Sequence, residues 1–237
     1  MSINIQIEIL AGTLCYTEPM GHSKASKAET HTRLVAAAAA RFKERGIDGI
    51  SLADLMKDLK LTHGGFYKHF NSRDELVTEA LQLALTQSGC AMRERLFDQA
   101  KPDVPGFVDF YLDESHRSGR AAGCAVAALA GDAPRKSADV QAQFRAQIES
   151  NLEALTVALE TDGAGLASAE ARATALLVLS ALYGALMMAR AVGDSPLSRE
   201  VLQSVRKQLS KLTGPGPGPG PAKKTRLPKQ KMTNPRR

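Results

Sequence analysis

The sequence predicts an all-α protein with a small N-terminal three-helix domain and a larger C-terminal helical domain. Apolar residues make up 43% of the 237 residues and aromatic residues only 5%, a composition that favours helices. Apolar side chains recur with the helical period along most of the chain. No segment has a convincing strand alternation, so we expect no sheet.

The three N-terminal helices follow from periodicity and capping residues. The first covers residues 30–45 and ends at Gly46, which serves as its C-cap. Ser51 precedes the second helix as its N-cap, and Thr62 can cap a third helix that starts at His63. The last two helices and the turn between them have the form of a helix-turn-helix.

Glycine and proline separate the longer helices that follow. Ser72 and Glu75 form a capping box at the start of a helix that runs from residue 73 to the high 90s. The remaining helices are predicted over residues 105–117, 123–131, 138–160, 168–192 and 197–212.

These elements divide the chain into a helix-turn-helix domain at 23–75 and a second domain at 76–212. We expect residues 1–22 to be a disordered extension or a start-site artefact, with translation beginning at Met20. Residues 213–237 contain a Gly-Pro spacer and then a basic segment that its composition predicts to be disordered. That tail holds seven Lys and Arg residues and no acid, so it accounts for the net charge of +6.

The sequence contains no pattern typical of a disulfide framework, a zinc site, a membrane span or a catalytic site. Cys15, Cys90 and Cys124 are odd in number and widely spaced, which argues against a disulfide framework and a zinc site. The apolar stretch at 173–189 has about 17 residues, fewer than the roughly 20 of a membrane span, so we predict a buried helix in a cytoplasmic protein. No catalytic set is visible, and we expect no enzymatic activity, metal or cofactor.

The stretch LTHGGFYKHF at 61–70 carries two adjacent glycines, each of which costs about 1 kcal/mol in a helix interior. On a helical wheel, Phe66 and Phe70 share a stripe that faces the core, and Gly64, Gly65 and Lys68 occupy the opposite side. Bare glycine there would let phosphates or base edges approach the main chain. A loop in which the two phenylalanines fill a core is the alternative.

The predicted DNA-binding residues surround these glycines. Lys68 supplies a cation, Tyr67 and His69 can bond phosphate oxygens, and the helix N-terminus attracts phosphate. Arg73 stands in the first turn of the next helix, where the macrodipole disfavours a cation unless a phosphate lies beside it. The full predicted set is Ser51, Thr62, His63, Gly64, Gly65, Tyr67, Lys68, His69 and Arg73.

The 50 residues from Thr32 to Leu81 resemble the DNA-binding domain of TetR-type (TetR/AcrR family) transcriptional regulators. The resemblance rests on an aromatic residue before the first glycine, a Ser cap, an aromatic-Tyr-x-His-Phe sequence and a Ser-basic-acidic-acidic-Leu sequence. In this chain these are Phe42 with Gly46, Ser51, residues 66–70 and residues 72–76. His31 stands where the family usually has an arginine, so this chain departs from the family at one phosphate-contacting position.

The resemblance implies a dimeric regulator, usually a repressor, that binds a palindromic double-stranded DNA operator and is released by a small-molecule effector. It also implies that the helices at 168–192 and 197–212 form a four-helix bundle with a partner subunit; a fully buried monomer core is the alternative. An activator, a ligand-independent regulator and a sequence-indifferent nucleoid-type protein are further alternatives. Contacts of the basic tail with DNA phosphates outside the operator are as consistent with its composition as a dispensable extension.

The effector pocket is predicted from aromatic and polarisable residues of the second domain. Cys124 lies in GCAVAALAGDAP, which resembles a segment found in one branch of the family, and it is either a redox or electrophile sensor or a small core residue. The predicted pocket residues, each also compatible with a core position, are Phe107, Phe110, Tyr111, His116, Cys124, Phe144, Tyr183 and Met187.

Overall fold

The computed structural model describes residues 24–99, 101–161 and 167–214. In these ranges the chain forms ten α-helices, two short 3-10 turns and no strand, which confirms the predicted fold class. The helices are α1 (Lys24–Arg45), α2 (Leu52–Asp58), α3 (His63–Phe66), α4 (Arg73–Phe97), α5 (Val104–Tyr111), α6 (Glu114–Ser118), α7 (Ala125–Leu129), α8 (Ala138–Thr161), α9 (Ser168–Ala191) and α10 (Pro196–Thr213). The predictions for residues 1–22, for Cys15 and for the tail beyond residue 214 lie outside the described residues.

Most helix boundaries agree with the sequence prediction, and three differ for identifiable reasons. α1 begins at Lys24, six residues before the predicted start, because nothing in the polar lead-in breaks a helix. α3 is a single turn, and the bond from Lys68 N–H to the Gly65 carbonyl continues it as a tighter turn. The predicted helix at 105–117 is two helices, because Asp113 stops α5 and caps α6 through Ser115 N–H at 2.8 Å.

Two apolar cores lie along α4, one at each end of the helix. The first core joins α1, α2, α3 and the start of α4, and it extends to α7 and α8. The second joins the end of α4 to α5, α8, α9 and α10. Cys124 and Tyr183 pack against both cores, so they mark the junction between the helix-turn-helix domain and the rest of the protein.

Polar contacts also tie the two domains together. Gly46 ends α1 with φ of 83°, a left-handed value that favours glycine. The next residue, Ile47, donates its backbone N–H to Asp132 of the second domain at 3.1 Å. Lys136 pairs with Asp48 at 2.7 Å, and this contact lowers the pKa of the Asp48 carboxyl. The loop after α1 is therefore fixed to the segment between α7 and α8.

One face of α9 has no partner within the described chain. Its buried side packs on α8 and α10 through residues such as Leu179 and Ala185. Leu176, Leu177 and Met188 are exposed on the other side. The alternative of a fully buried monomer core is therefore wrong for this helix. By length and composition alone α9 could also cross a membrane, but half-burial against two other helices accounts for its apolar sequence.

Candidate nucleic-acid interface and ligand cavity

The turn between α2 and α3 is closed by backbone hydrogen bonds. Leu61 N–H donates to the Met56 carbonyl at 2.9 Å and Lys60 N–H to the Lys57 carbonyl at 3.0 Å. This is a Schellman motif, with Lys60 in the left-handed position at φ of 57°. No glycine marks this turn in the sequence, because a lysine occupies the left-handed position. The motif sets the direction of α3 relative to α2.

The capping residues of this unit lie where the sequence places them. Thr62 accepts the Gly65 N–H at 3.3 Å and caps α3. Ser51 accepts the Asp54 N–H at 3.1 Å and donates its hydroxyl to the Asp54 carboxylate at 2.6 Å. Both hydroxyls therefore cap the helix that follows them, and both residues are exposed on the protein surface.

Neither glycine of α3 is required by packing within the protein. A Cβ on Gly64 would meet no atom within 4 Å, and one on Gly65 would make only ordinary contact with Thr62 Oγ1 at 3.4 Å. Their φ angles lie outside the left-handed region, so the backbone does not demand glycine either. Neither packing nor backbone conformation within the described residues therefore explains why these two positions are glycine.

The orientation predicted by the helical wheel is confirmed for the two phenylalanines, Gly64 and Lys68, whereas Gly65 is half-buried. Phe66 and Phe70 are buried and stack at 5.3 Å in the first core. His63, Gly64 and Lys68 are exposed, and Tyr67 is 60% exposed although its ring packs edge-on against Phe66. These outward groups, together with Thr62, form one surface that we call the α3 face.

His69 lies deeper than the wheel suggests. Its ring is half-buried, 6.2 Å from that of His31, and its Nδ1 has no hydrogen-bond partner in the described chain. Burial lowers the pKa of His69, and the charges of His31, Lys27 and Lys68 lower it further. His31 of α1 stacks on Phe70 at 4.5 Å and pairs with Glu79 of α4 at 2.7 Å, so it joins the turn after α3 to both helices.

Arg73 has an internal role that the sequence argument missed. Its guanidinium donates to the Ile47 carbonyl at 2.6 Å and the Ile50 carbonyl at 3.4 Å, and it lies 3.5 Å from the Asp48 carboxylate. The argument that a cation at this helix start needs a phosphate is therefore wrong, because the loop between α1 and α2 supplies the acceptors. The residue ties the start of α4 to the loop between α1 and α2.

Six of the eight predicted pocket residues line one cavity of about 80 Å³ in the second domain. They are Phe107, Phe110, Tyr111, His116, Cys124 and Tyr183. Phe144 is instead buried in the first core, on α8, which packs against α4. Met187 is exposed on α9 and borders a different cleft. These two assignments are wrong because periodicity shows that a helix residue is apolar and does not show which neighbour it meets.

The hydroxyl of Tyr111 is buried in this cavity without a hydrogen bond from the described residues. The Cys124 thiol is its neighbour, yet no bond of normal geometry joins them. Burial raises the pKa of Tyr111 well above the ordinary tyrosine value, so the hydroxyl is neutral. An unpaired buried hydroxyl costs free energy that a ligand with a hydrogen-bonding group could recover.

Asn151 is a cavity residue that sequence reasoning missed. It is buried on α8 and donates to Tyr183 Oη at 3.0 Å, while Gln147 donates to its side-chain carbonyl at 2.8 Å. The sequence does contain a signal for it, because Asn151 lies at helical spacing from the buried residues Phe144 and Leu155. A polar residue on an apolar helix face indicates a buried polar site. Burial raises the pKa of Tyr183 above its ordinary value.

His116 connects the cavity wall to α7 and α9. The ring accepts the Cys124 backbone N–H at Nε2, and its Nδ1 lies 2.7 Å from the Tyr111 carbonyl. Arg190 of α9 donates to the His116 and Arg117 carbonyls at 2.8 and 3.2 Å. Gly123 lets these side chains approach the backbone, because a Cβ there would lie 2.9 Å from Arg190 Nη2.

A helix-turn-helix with a bare, partly basic outer face, joined to an all-helical domain with an internal cavity, defines a DNA-binding regulatory protein. Two family profiles match this chain: "Bacterial regulatory proteins, tetR family" over residues 34–80, and "Transcriptional regulator LmrA/YxaF-like, C-terminal domain" over residues 103–208. Together they cover well over half of the sequence. The chain belongs to the TetR family of transcriptional regulators.

Solved structures agree on the fold at low sequence identity. A TetR regulator from Chloroflexus aurantiacus J-10-FL has a TM-score of 0.67 and 24% identity, covering 79% of this chain and 95% of its own. The reduced form of E. coli NemR has a TM-score of 0.64 and 20% identity, with coverages of 77% and 96%. A TetR-family regulator from Agrobacterium tumefaciens has values of 0.63 and 19%, with coverages of 77% and 98%. A search of curated proteins found no match.

Proposed function

We propose that this protein is a ligand-responsive repressor that binds a palindromic operator as a dimer. The observation that carries the proposal is the position of the ligand cavity at the junction of the two domains. Cys124 and Tyr183 line the cavity and pack against both cores. A molecule that enters the cavity therefore acts on the contacts that hold the helix-turn-helix domain in place.

DNA is contacted through the α3 face. Gly64 and Gly65 leave the main chain accessible, and Lys68 and Tyr67 offer a cation and a hydroxyl to phosphates. His69, being half-buried, acts mainly by positioning this face, and Arg73 acts by holding the start of α4 to the loop between α1 and α2. The helix enters the major groove in the manner of other helix-turn-helix proteins.

Dimerisation uses the exposed face of α9 together with α10. Between these helices lies an apolar groove, lined by residues that include Ala181, Gly184, Met188, Leu197 and Val201. Small residues at 181 and 184 allow a second helix to approach closely. A two-fold axis here presents two α3 faces to half-sites about one DNA turn, or roughly 34 Å, apart.

The effector is a small, mostly apolar molecule with a hydrogen-bonding group. Phe107, Phe110 and Met92 supply apolar wall, whereas the free hydroxyl of Tyr111 offers a polar contact. The cavity of about 80 Å³ is smaller than a drug-sized ligand requires, so binding must widen it. Phe110 is the part of the wall that can move, since its ring is half exposed and is held by Arg95 at 5.5 Å.

Widening reaches the DNA-binding domain through the segment from His116 to α7. The His116 bond to Cys124 N–H fixes the start of α7, and Ala125 N–H donates to Ser88 of α4 at 2.9 Å. α7 packs in turn on α1 in the first core. Displacement of Cys124 therefore shifts the position of α1. In the proposed dimer, the distance between the α3 faces of the two subunits changes with it.

The remaining predictions follow from this role. A transcriptional regulator acts on DNA in the cytoplasm and has no need for an enzymatic site. The seven cations of the tail add phosphate contacts outside the operator, which strengthen binding to any DNA without adding specificity.

Competition binding tests the proposal. The full chain is titrated onto DNA from upstream of its own gene, in competition with random DNA at about 150 mM salt, and we expect a preference of roughly a thousandfold or more. Equal binding to both DNAs would indicate a nucleoid-type protein and contradict the proposal. Small molecules are then screened for release of the complex. Tyr111→Phe should weaken release by an effector that bonds the hydroxyl, while operator affinity without effector stays unchanged.

A further inference from the structure

A second cleft lies between α1 and the regulatory domain, apart from the effector cavity. It has a volume of about 490 Å³ and is open to solvent. The last turn of α1 forms one wall, and the segments carrying Arg120 and Arg190 form the other. Its charged lining consists of Lys43, Glu44, Arg45, Arg120 and Arg190. Four cations from two domains therefore face one space.

Lys43 is unusual among these residues because its side chain is only 7% exposed. Across the described ranges, no hydrogen bond and no carboxylate within ion-pair distance reaches its ammonium. Burial lowers the pKa of Lys43, and the nearby Cys124 thiol only partly opposes this effect. The C-terminal dipole of α1 favours a cation at this position, and the Lys43 ammonium is not fully buried, so an anion in the cleft can reach it.

The acid in the cleft is already engaged. The Glu44 carboxylate pairs with Arg41 at 2.9 Å. Arg190 is held by the His116 and Arg117 carbonyls, and burial together with the charges of Arg120 and Arg117 lowers its pKa. Arg45 and Arg120 are exposed and have no ion pair within the described chain. The lining of the cleft thus carries four cations and one carboxylate, and that carboxylate is already paired with Arg41.

We propose that this cleft binds a small polyanion, a molecule that carries two or more carboxylate or phosphate groups. Lys43 and Arg45 belong to the helix-turn-helix domain, and Arg120 and Arg190 belong to the regulatory domain. An anion bound between them bridges the two domains and holds α1 in the described arrangement. The cleft is a second ligand site, and its occupant differs in charge from the effector of the apolar cavity.

Calorimetric titration of the full chain tests this site. The probes are inorganic pyrophosphate and, separately, citrate, at low ionic strength where screening is weak. We expect one anion per chain, with a higher unfolding temperature in its presence. Lys43→Met keeps an unbranched apolar stem, and it should weaken binding at least tenfold. The tighter of the two probes identifies the phosphate or the carboxylate as the preferred group.

Two further variants separate the cleft from general charge effects. Arg120→Gln changes an exposed residue, so it should fold normally and weaken binding several-fold. Arg145→Gln removes an equally exposed cation from α8, away from the cleft, and should leave binding unchanged. The basic tail is present in all variants and contributes equally. Absence of binding to the wild-type chain, or equal weakening in Arg120→Gln and Arg145→Gln, would overturn the proposal.

Discussion

The backbone N–H of Cys124 donates a hydrogen bond to Nε2 of His116 at 3.1 Å. Because this nitrogen accepts, the proton of the neutral ring is on Nδ1, which donates to the Tyr111 carbonyl at 2.7 Å. Protonation would convert Nε2 into a second donor that faces the Cys124 N–H. Burial lowers the pKa of His116, the charges of Arg190 and Lys43 act in the same direction, and the Tyr111 bond and Asp113 oppose them.

This relationship predicts that acid destabilises the protein through His116. Because the pKa is lower in the folded chain than in the unfolded chain, the stabilisation is fully present above the ordinary histidine value of about 6.5. It is lost as the pH falls below that value and through the folded pKa. Urea unfolding between about pH 5 and 8 should show the free energy of unfolding decreasing on acidification.

His116→Gln isolates this contribution, because a glutamine oxygen can accept the Cys124 N–H and does not titrate. We expect a shallower loss of stability with acid than in the wild-type chain, although other groups, such as His69 with its lowered pKa, still contribute. Parallel curves for the two proteins would show that His116 is not protonated on unfolding in this range.

Gly123 and Gly131 form a matched pair for testing how closely the chain packs around this histidine. A Cβ on Gly123 would lie 2.9 Å from Arg190 Nη2 and 3.1 Å from two ring atoms of His116, whereas one on Gly131 would meet nothing within 4 Å. Gly123→Ala should lower the free energy of unfolding by about 1–3 kcal/mol. Gly131→Ala should change it by less than about 0.5 kcal/mol. Equal effects in urea unfolding would argue against the close approach.

The sequence predicts the fold and most of the cavity well because both depend on local patterns. Capping residues such as Ser51, Thr62 and Ser72 define helix starts, and each accepts the backbone bond that its position predicts. Phe107 and Tyr111 of α5 are buried at the helical spacing that the pattern predicts, whereas Phe110 is half exposed at the edge of the cavity. Six cavity residues could therefore be named before any tertiary contact was known.

The errors concern side chains whose partners are distant in sequence. Arg73 bonds carbonyls more than twenty residues away, and Phe144 faces α4 rather than the cavity. Asn151 and the cationic cleft around Lys43 arise only when separate helices are brought together. A single sequence shows which face of a helix is buried; the neighbour that covers it is a tertiary property.

Gly64→Ala should affect stability and DNA binding in opposite directions. The added methyl meets no protein atom, and alanine is favoured over glycine in a helix by about 0.5–1 kcal/mol, so the free energy of unfolding should rise. The same methyl occupies the space through which DNA approaches the main chain, so operator affinity should fall. Urea unfolding and operator titration of the same preparation measure both effects. Unchanged affinity would remove the glycine from the interface.

The exposed side of α9 leads to a prediction about assembly. Met188 is 58% exposed and borders the apolar groove between α9 and α10. In the proposed dimer, Met188→Glu buries an unpaired carboxylate, which costs about 3–5 kcal/mol and corresponds to at least a hundredfold weaker association. Analytical ultracentrifugation should then find monomers at concentrations where the wild-type chain is dimeric. Val157→Glu places the same charge on an exposed apolar position of α8 and should leave the dimer intact. If both variants remain dimeric, the subunits associate through another surface.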